Sequence, residues 1–446
     1  MTRTEAQPVA RREGRRYGAV VAGAFVLLVV VLSTVVAVAT RSQVRQDPEL
    51  TGPSWLDGWY QFDAGWYLGI VRAGYSYAPG QQSPVAFFPA YPLGVRGLGD
   101  VLGDHQVAGQ LLSVLCGLVA VVLFAFWTRR RLPRRAAVLA VAVVLLYPYA
   151  FFLYGPMYAD SLFMLSAIGA FVLLERRWYL AAGLVGAIAT AGRPVGVAVA
   201  VGLVVRTLEM LAEDRRARAA AGGGTAVGAT TTEGATAVEA STADDPTAGD
   251  ATTAGGAAAG GATPTWPGWR DLVAAVRDVR LRHVGVLASG LGLAAWCLYL
   301  WLQFGNPLAF VEVESAPGWN QGVGPRTWFK LVYAGTVIKG PYDIALLLTL
   351  QALACLCAVL LLRRVQRLFG WGYAAYAAVV LLIPIIGTKD FMGAGRYVLV
   401  AFPVMAAAGS FLAERRGRWV VPVTLVVSGS LLVVLTYLFG RGVAVS

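Results

Sequence analysis

Eleven apolar runs constrain this chain more than any other feature. They fall at about 19–39, 107–127, 136–155, 158–174, 179–191, 194–210, 283–304, 343–362, 370–387, 397–413 and 419–439. Crossing about 30 Å of hydrocarbon takes roughly 20 apolar residues in a helix. Inside lipid every backbone N–H and C=O must be satisfied within the protein, which favours helices for runs of this kind. Only 14% of the 446 residues are charged, against about 25% in a soluble domain. The expected fold class is therefore all-α and polytopic, with about eleven transmembrane helices. The run at 179–191 is the shortest.

The arginines test this division. They cluster at Arg11 to Arg16, Arg129 to Arg135, Arg176-Arg177, Arg215 to Arg218, Arg277 to Arg282, Arg363 to Arg367 and Arg415 to Arg418. With a cytoplasmic N-terminus and eleven spans, every cluster falls on the cytoplasmic side, as the positive-inside rule requires. Removing one span would put later clusters outside. The same rule accounts for the net charge of +12 without nucleic acid as a partner. The first run ends in Ala37-Val38-Ala39, like a signal-peptide cleavage site, but its apolar core of about 20 residues exceeds the usual 7–15. It is expected to be an uncleaved first span.

The expected organisation follows: a basic cytoplasmic N-terminus (1–18), a first membrane bundle (19–210) with an external loop at 40–106, a cytoplasmic segment (211–282), and a second bundle (283–440) with an external loop at 305–342. Within the cytoplasmic segment, residues 219–265 are Ala, Gly and Thr with scattered acids, too poor in large apolar groups to fold alone. They are expected to be a disordered linker. Cys116, Cys297, Cys355 and Cys357 all lie in apolar runs, so buried thiols are expected rather than disulfides. Two histidines and no Cys/His cluster argue against zinc.

The unusual residues are external. The first loop carries Trp55, Asp57, Trp59, Tyr60, Asp63, Trp66, Tyr67, Arg72, Tyr75, Tyr77, Phe87, Phe88 and Tyr91, and is expected to form interfacial helices. If the segment from Asp63 is helical, Asp63 and Tyr67 share a face at i, i+4, and Gly74 closes the helix. Asp63 could equally be only an N-cap. Asp160 opens the fourth span. Arg193 and Arg396 stand alone in external turns, where no topology rule explains them. A carboxylate can take a proton from a hydroxyl, and a guanidinium fork suits phosphate. Together they suit group transfer from a phosphate-linked lipid.

The chain resembles the PIG-V family of GPI mannosyltransferases and their bacterial relatives. The resemblance rests on Phe62-Asp63-Ala64, Tyr67-Leu68-Gly69-Ile70, Gly74-Tyr75 and Ala86-Phe87-Phe88-Pro89-Ala90-Tyr91-Pro92-Leu93. It continues at Tyr158-Ala159-Asp160-Ser161-Leu162-Phe163, Gly192-Arg193-Pro194-Val195-Gly196 and Asn306-Pro307-Leu308-Ala309-Phe310. It covers most of the membrane part, but neither the linker nor the basic N-terminus. It implies a GT-C-like fold in the plasma (inner) membrane and inverting transfer of a hexose, mannose first, from a polyprenyl-phosphate sugar to a glycan or glycolipid on the extracytoplasmic face. Asp63 is then the catalytic base, with Asp57 as the alternative. Arg193, Arg396 and Arg72 would hold the donor phosphate. Tyr67, Phe87, Phe88 and Asp160 would shape the pocket. The family usually has Trp where this chain has Phe62, and Thr-Glu where it has Ala159-Asp160, so the role of Asp160 stays open. No cofactor is implied, and no acidic cluster indicates a divalent metal. Another sugar, such as arabinose or glucose, and a non-enzymatic transporter or flippase are the alternatives.

Overall fold

A computed structural model describes residues 3–41, 43, 50–227, 266–322 and 324–445. Among them there are helices and turns but no strand. The principal helices are α1 (Arg3–Thr40), α2 (Asp63–Ala73), α3 (Ala90–Leu102), α4 (His105–Arg129), α5 (Arg134–Leu146), α6 (Asp160–Glu175), α7 (Tyr179–Thr190), α8 (Val197–Val227), α9 (Leu281–Phe304), α10 (Tyr342–Phe369), α11 (Trp371–Gly387), α12 (Ala394–Val400), α13 (Phe402–Ala413) and α14 (Val420–Gly440). Of the expected linker, residues 228–265 lie outside the described residues.

Every apolar run read from the sequence coincides with helix, but the run is not always one straight span. Six helical segments are long and apolar enough to cross a membrane: α1, α4, α8, α9, α10 and α14. The others are shorter, for local reasons. The run at 136–155 gives α5 only to Leu146, because Pro148 disfavours helical backbone at Tyr147; the chain continues as a 3₁₀ turn over Ala150–Leu153. The run at 397–413 is broken between α12 and α13, which meet at 79°, with Pro403 in the first turn of α13. A single helix there would put the proline ring against its own preceding turn.

The helices pack through small residues, as expected where lipid removes the hydrophobic drive for helix association. A Cβ at Gly409 of α13 would collide with the backbone of Ala140 on α5. α8 packs against α11, α10 against α11, α12 and α13, and α4 bridges α1, α3, α5 and α6. The first and last long helices, α1 and α14, are neighbours. Phe439 near the end of α14 touches the rings of Trp59, Phe62, Phe151, Phe152 and Tyr158. It thereby joins the C-terminal helix to the first loop.

Two polar regions occupy opposite ends of the bundle. At one end Arg206 binds Glu175, Glu209 and Glu213, Arg131 binds Glu175, and the Tyr373 hydroxyl donates to Glu175. Glu209, fully buried, accepts the N–H groups of Trp371 and Gly372 at the start of α11, where the helix dipole favours an anion. Glu175 ends α6. Asp160 begins it, fifteen residues and therefore about 22 Å away, and belongs to the other end.

Candidate functional site

Asp63 is the first residue of α2. Its side chain caps nothing. Its Oδ2 accepts a hydrogen bond of 3.0 Å from a terminal nitrogen of Arg396, so the N-cap alternative does not describe it. The start of α2 is held by Tyr158, whose hydroxyl accepts the Asp63 N–H and donates to the Gln61 carbonyl. Phe62, just before it, has φ of +52°, a left-handed conformation that costs a non-glycine residue of order 1–3 kcal/mol and is typical of functional sites.

Arg396 is presented by the turn that opens α12. That turn is clamped on both sides. The Tyr147 hydroxyl donates to the Gly395 carbonyl, and the Gly395 N–H donates to the side-chain oxygen of Gln351 on α10. The Arg396 guanidinium lies 5.6 Å from the Phe152 ring centre and 5.4 Å from that of Tyr158, cation–π distances. Its Nε is buried and has no hydrogen-bond partner.

A second pair lies alongside. Arg193, in the turn after α7, binds Asp160 at the start of α6. Both are almost wholly buried. The Arg193 guanidinium sits 4.7 Å from the ring centre of Tyr397, the residue following Arg396. Four charged side chains from four separate stretches of chain therefore meet as two Asp–Arg pairs. Pairing is what makes burial of such charges tolerable.

Tyr67 shares the Asp63 face of α2, as the i, i+4 spacing requires. It is buried in the electrostatic range of Asp63, Asp160, Arg193 and Arg396, and burial holds its phenol above the ordinary tyrosine range, with Arg193 opposing. Its ring packs edge-on against Phe87 and Tyr91. Phe87 also stacks on Trp66, and both reach Trp319 from the 305–322 segment. An aromatic roof thus joins the two expected external loops.

Three of the expected residues lie elsewhere. Arg72 comes nine residues after Asp63, on the opposite side of α2 and about 14 Å along it, and is exposed. Phe88 does not line the site with Phe87. It is buried against Trp296 and Phe310 in a small separate apolar cluster with Val85, Leu300, Ala309 and Val313, because adjacent residues in an extended stretch point to opposite sides. Asp57 accepts a hydrogen bond from Gln106 and lines a different cavity with Arg41, Trp55 and Tyr60.

Glu314 is the residue the sequence reading missed. It lies in a 3₁₀ turn over Val313–Ser315, half-buried. Its carboxyl is pushed up to about 7 by burial and by the negative charge of Asp63, with Arg396 opposing. Two acidic residues, Glu312 and Glu314, in an apolar external loop were the available signal. Glu312 is engaged by Tyr77 and Asn306. Among the described residues, no three His, Cys, Asp or Glu side chains gather where a metal ion could be held.

An apolar groove of about 510 Å³ runs beside this end of the bundle, lined by Ile70, Val71, Tyr75, Pro92, Leu93, Trp296 and Tyr299 among others. Arg96 borders it and donates to the carbonyls of Ile70 and Val71, satisfying the C-terminal end of α2.

No family model and no curated protein matches this sequence. Among solved structures, the chain is similar to ArnT from Cupriavidus metallidurans bound to undecaprenyl phosphate. The match has 13% identity and a TM-score of 0.44, and covers 94% of this chain and 76% of that one. It is also similar to the Archaeoglobus fulgidus oligosaccharyltransferase in the apo form, with 10% identity and a TM-score of 0.41, covering 94% of this chain and 56% of that one. The archaeal oligosaccharyltransferase AglB with an inhibitory peptide and a dolichol-phosphate matches at 10% identity and TM-score 0.39, over 94% and 56%. The chain spans little more than half the length of the latter two. At TM-scores below 0.5 these likenesses leave the site to be read from its own geometry.

Proposed function

We propose that this chain is a membrane glycosyltransferase of GT-C type and PIG-V resemblance. It moves a hexose, mannose first, from a polyprenyl-phosphate sugar to a hydroxyl of a glycan or glycolipid. The reaction takes place on the extracytoplasmic face of the plasma membrane, with the N-terminus in the cytoplasm. The observation that carries this reading is the meeting of Asp63–Arg396 with Asp160–Arg193 beneath an aromatic roof, from positions far apart in sequence. The arginine clusters support the orientation, since the positive-inside rule places this end of the bundle outside.

In the reaction the acceptor hydroxyl hydrogen-bonds to Asp63, which takes its proton as the oxygen attacks the anomeric carbon. The bond from that carbon to the phosphate oxygen breaks. Polyprenyl phosphate leaves with the bonding pair and a second negative charge. Arg193 and Arg396 stabilise that charge as it develops, and the unpartnered Arg396 Nε has a donor to offer. Asp160 holds Arg193 in place. Tyr67 and Phe87 wall the sugar, and the prenyl chain fits the apolar groove beside α2.

The test uses the purified full chain in lipid nanodiscs with radiolabelled polyprenyl-phosphate mannose and an alkyl mannoside acceptor. Transfer is expected, and Asp63→Asn should lower it by about 10²-fold or more. Transfer with an arabinose or glucose donor alone would move the sugar assignment. No transfer from any of the three donors, or full activity in Asp63→Asn, would overturn the mechanism.

A further inference from the structure

We propose that the groove between α1, α4 and α5, at the end of the bundle away from Asp63, holds the phosphate headgroup of one anionic phospholipid, gripped by Arg16, Arg129 and Arg134. The site is separate from the transferase chemistry and does not depend on it. In the orientation proposed above it opens on the cytoplasmic side.

Three helices build the groove. Arg16, Tyr17 and Val20 come from α1, Arg129 ends α4, and Arg134 and Val138 belong to the first turns of α5. The cavity between them measures about 320 Å³. Its three guanidinium groups share one carboxylate. That carboxylate, Glu13, lies 3.7 Å from a terminal nitrogen of Arg129, and its side chain is 67% exposed. An ion pair so long and so well solvated contributes little. Arg16 and Arg134 have no hydrogen-bond or ion-pair partner among the described residues. Three cations gathered round one cavity repel one another, and an anion between them offsets that repulsion.

The positive-inside rule explains why arginines lie at this end, but not why they line a cavity between helices. The Arg129 guanidinium sits 4.9 Å from the Tyr17 ring centre, a cation–π distance that ties the end of α4 to α1. Tyr17 in turn packs edge-on against Phe126. The Tyr17 hydroxyl is buried with no hydrogen-bond partner. Buried hydroxyls are normally satisfied, and a phosphate oxygen would accept from this one. The apolar part of the lining argues for a lipid over a free anion. Arg16 and Val20 are an i, i+4 pair on α1, and Arg134 and Val138 are another on α5. On both helices a valine therefore lies one turn, about 6 Å, deeper than an arginine and on the same face. Both valines are exposed. Cations above and bare apolar surface below match a phosphate with acyl chains beneath it, and basic pockets between membrane helices are known headgroup sites.

The test titrates the full chain in detergent with phosphatidylglycerol, phosphatidylcholine or inorganic phosphate and reads binding by native mass spectrometry. One phosphatidylglycerol should bind about tenfold or more tighter than phosphatidylcholine, and excess inorganic phosphate should not displace it. The double substitution Arg16→Gln and Arg134→Gln should erase that preference; both side chains are exposed, so the fold should survive. Tyr17→Phe, which removes only the hydroxyl, should weaken binding about fivefold. An equal charge loss elsewhere, Arg416→Gln with Arg418→Gln, should leave the preference as it is. A preference that survives loss of Arg16 and Arg134, or that falls as far when Arg416 and Arg418 are replaced, would mean diffuse charge attraction and overturns the site. Displacement by inorganic phosphate overturns the lipid assignment. None of these readouts is sugar transfer, so failure here leaves the transferase reading standing.

Discussion

Asp63 and Asp160 look alike in sequence, each a carboxylate opening a helix, yet their surroundings separate them. Asp160 is 1% exposed and faces a buried guanidinium. Removing it strands Arg193 without a counter-charge, which costs about 3–5 kcal/mol. Asp160→Ala should therefore lower the thermal midpoint in detergent sharply, whereas Asp63→Asn, at a more accessible position, should lower it less and lose activity. Glu314 gives a third signature. A carboxyl held above its ordinary 4.5 binds its proton more tightly folded than unfolded. It stabilises the fold fully below 4.5, and that advantage is lost as pH rises through about 7. Glu314→Gln should accordingly unfold at a higher temperature than wild type at pH 8, with the difference gone by about pH 4. The i, i+4 relation of Asp63 and Tyr67, and the oddity of Arg193 and Arg396, were legible because each is a local departure from a rule. Which carboxylate pairs with which arginine was not legible. Asp63 and Arg396 are 333 residues apart, and no local pattern records such a contact.

At the scale of elements, helix was readable nearly everywhere and span length was not. Apolarity measures preference for lipid, while prolines decide where a run bends: Pro148 and Pro403 each interrupt a run that composition alone would draw as one piece, and Pro156 falls between two runs. These interruptions are where the site residues collect. Tyr158 and Asp160 follow Pro156, and Arg396 lies on the short α12 just ahead of the 79° bend. The resemblance drew Phe87 and Phe88 into one pocket, but alternation of side chains splits them. Phe88 instead supports the segment that carries Glu314. Phe88→Ala should cost about 3 kcal/mol or more if the cluster fails to close around the gap. It should also reduce kcat/KM by loosening the segment that carries Trp319 to the aromatic roof, a combination measured by thermal unfolding and steady-state transfer on the same preparation.

Across the whole molecule, the two polar ends have different work. The Arg131–Glu175–Arg206–Glu209 network ties α6, α8 and α11 together about 22 Å from the proposed chemistry. Each carboxylate there is satisfied, Glu209 by two backbone N–H groups and an arginine. Glu209→Ala should destabilise by about 3–5 kcal/mol while the surviving folded fraction keeps its specific activity. Loss of activity per folded molecule would show that this end is coupled to the other. The overall reading of an all-helical polytopic chain came from charge deficit and arginine spacing, both properties of the entire sequence.

The contact between α14 and α1 has a consequence for assembly. Phe439 underlies the rings of Phe62 and Tyr158 that frame Asp63, so the acid and its cation wait on an unfinished wall until α14 has docked beside α1. A chain cut short ahead of α14 would leave its reaction centre unsupported, and α14 acts as the latch on the loop that follows α1.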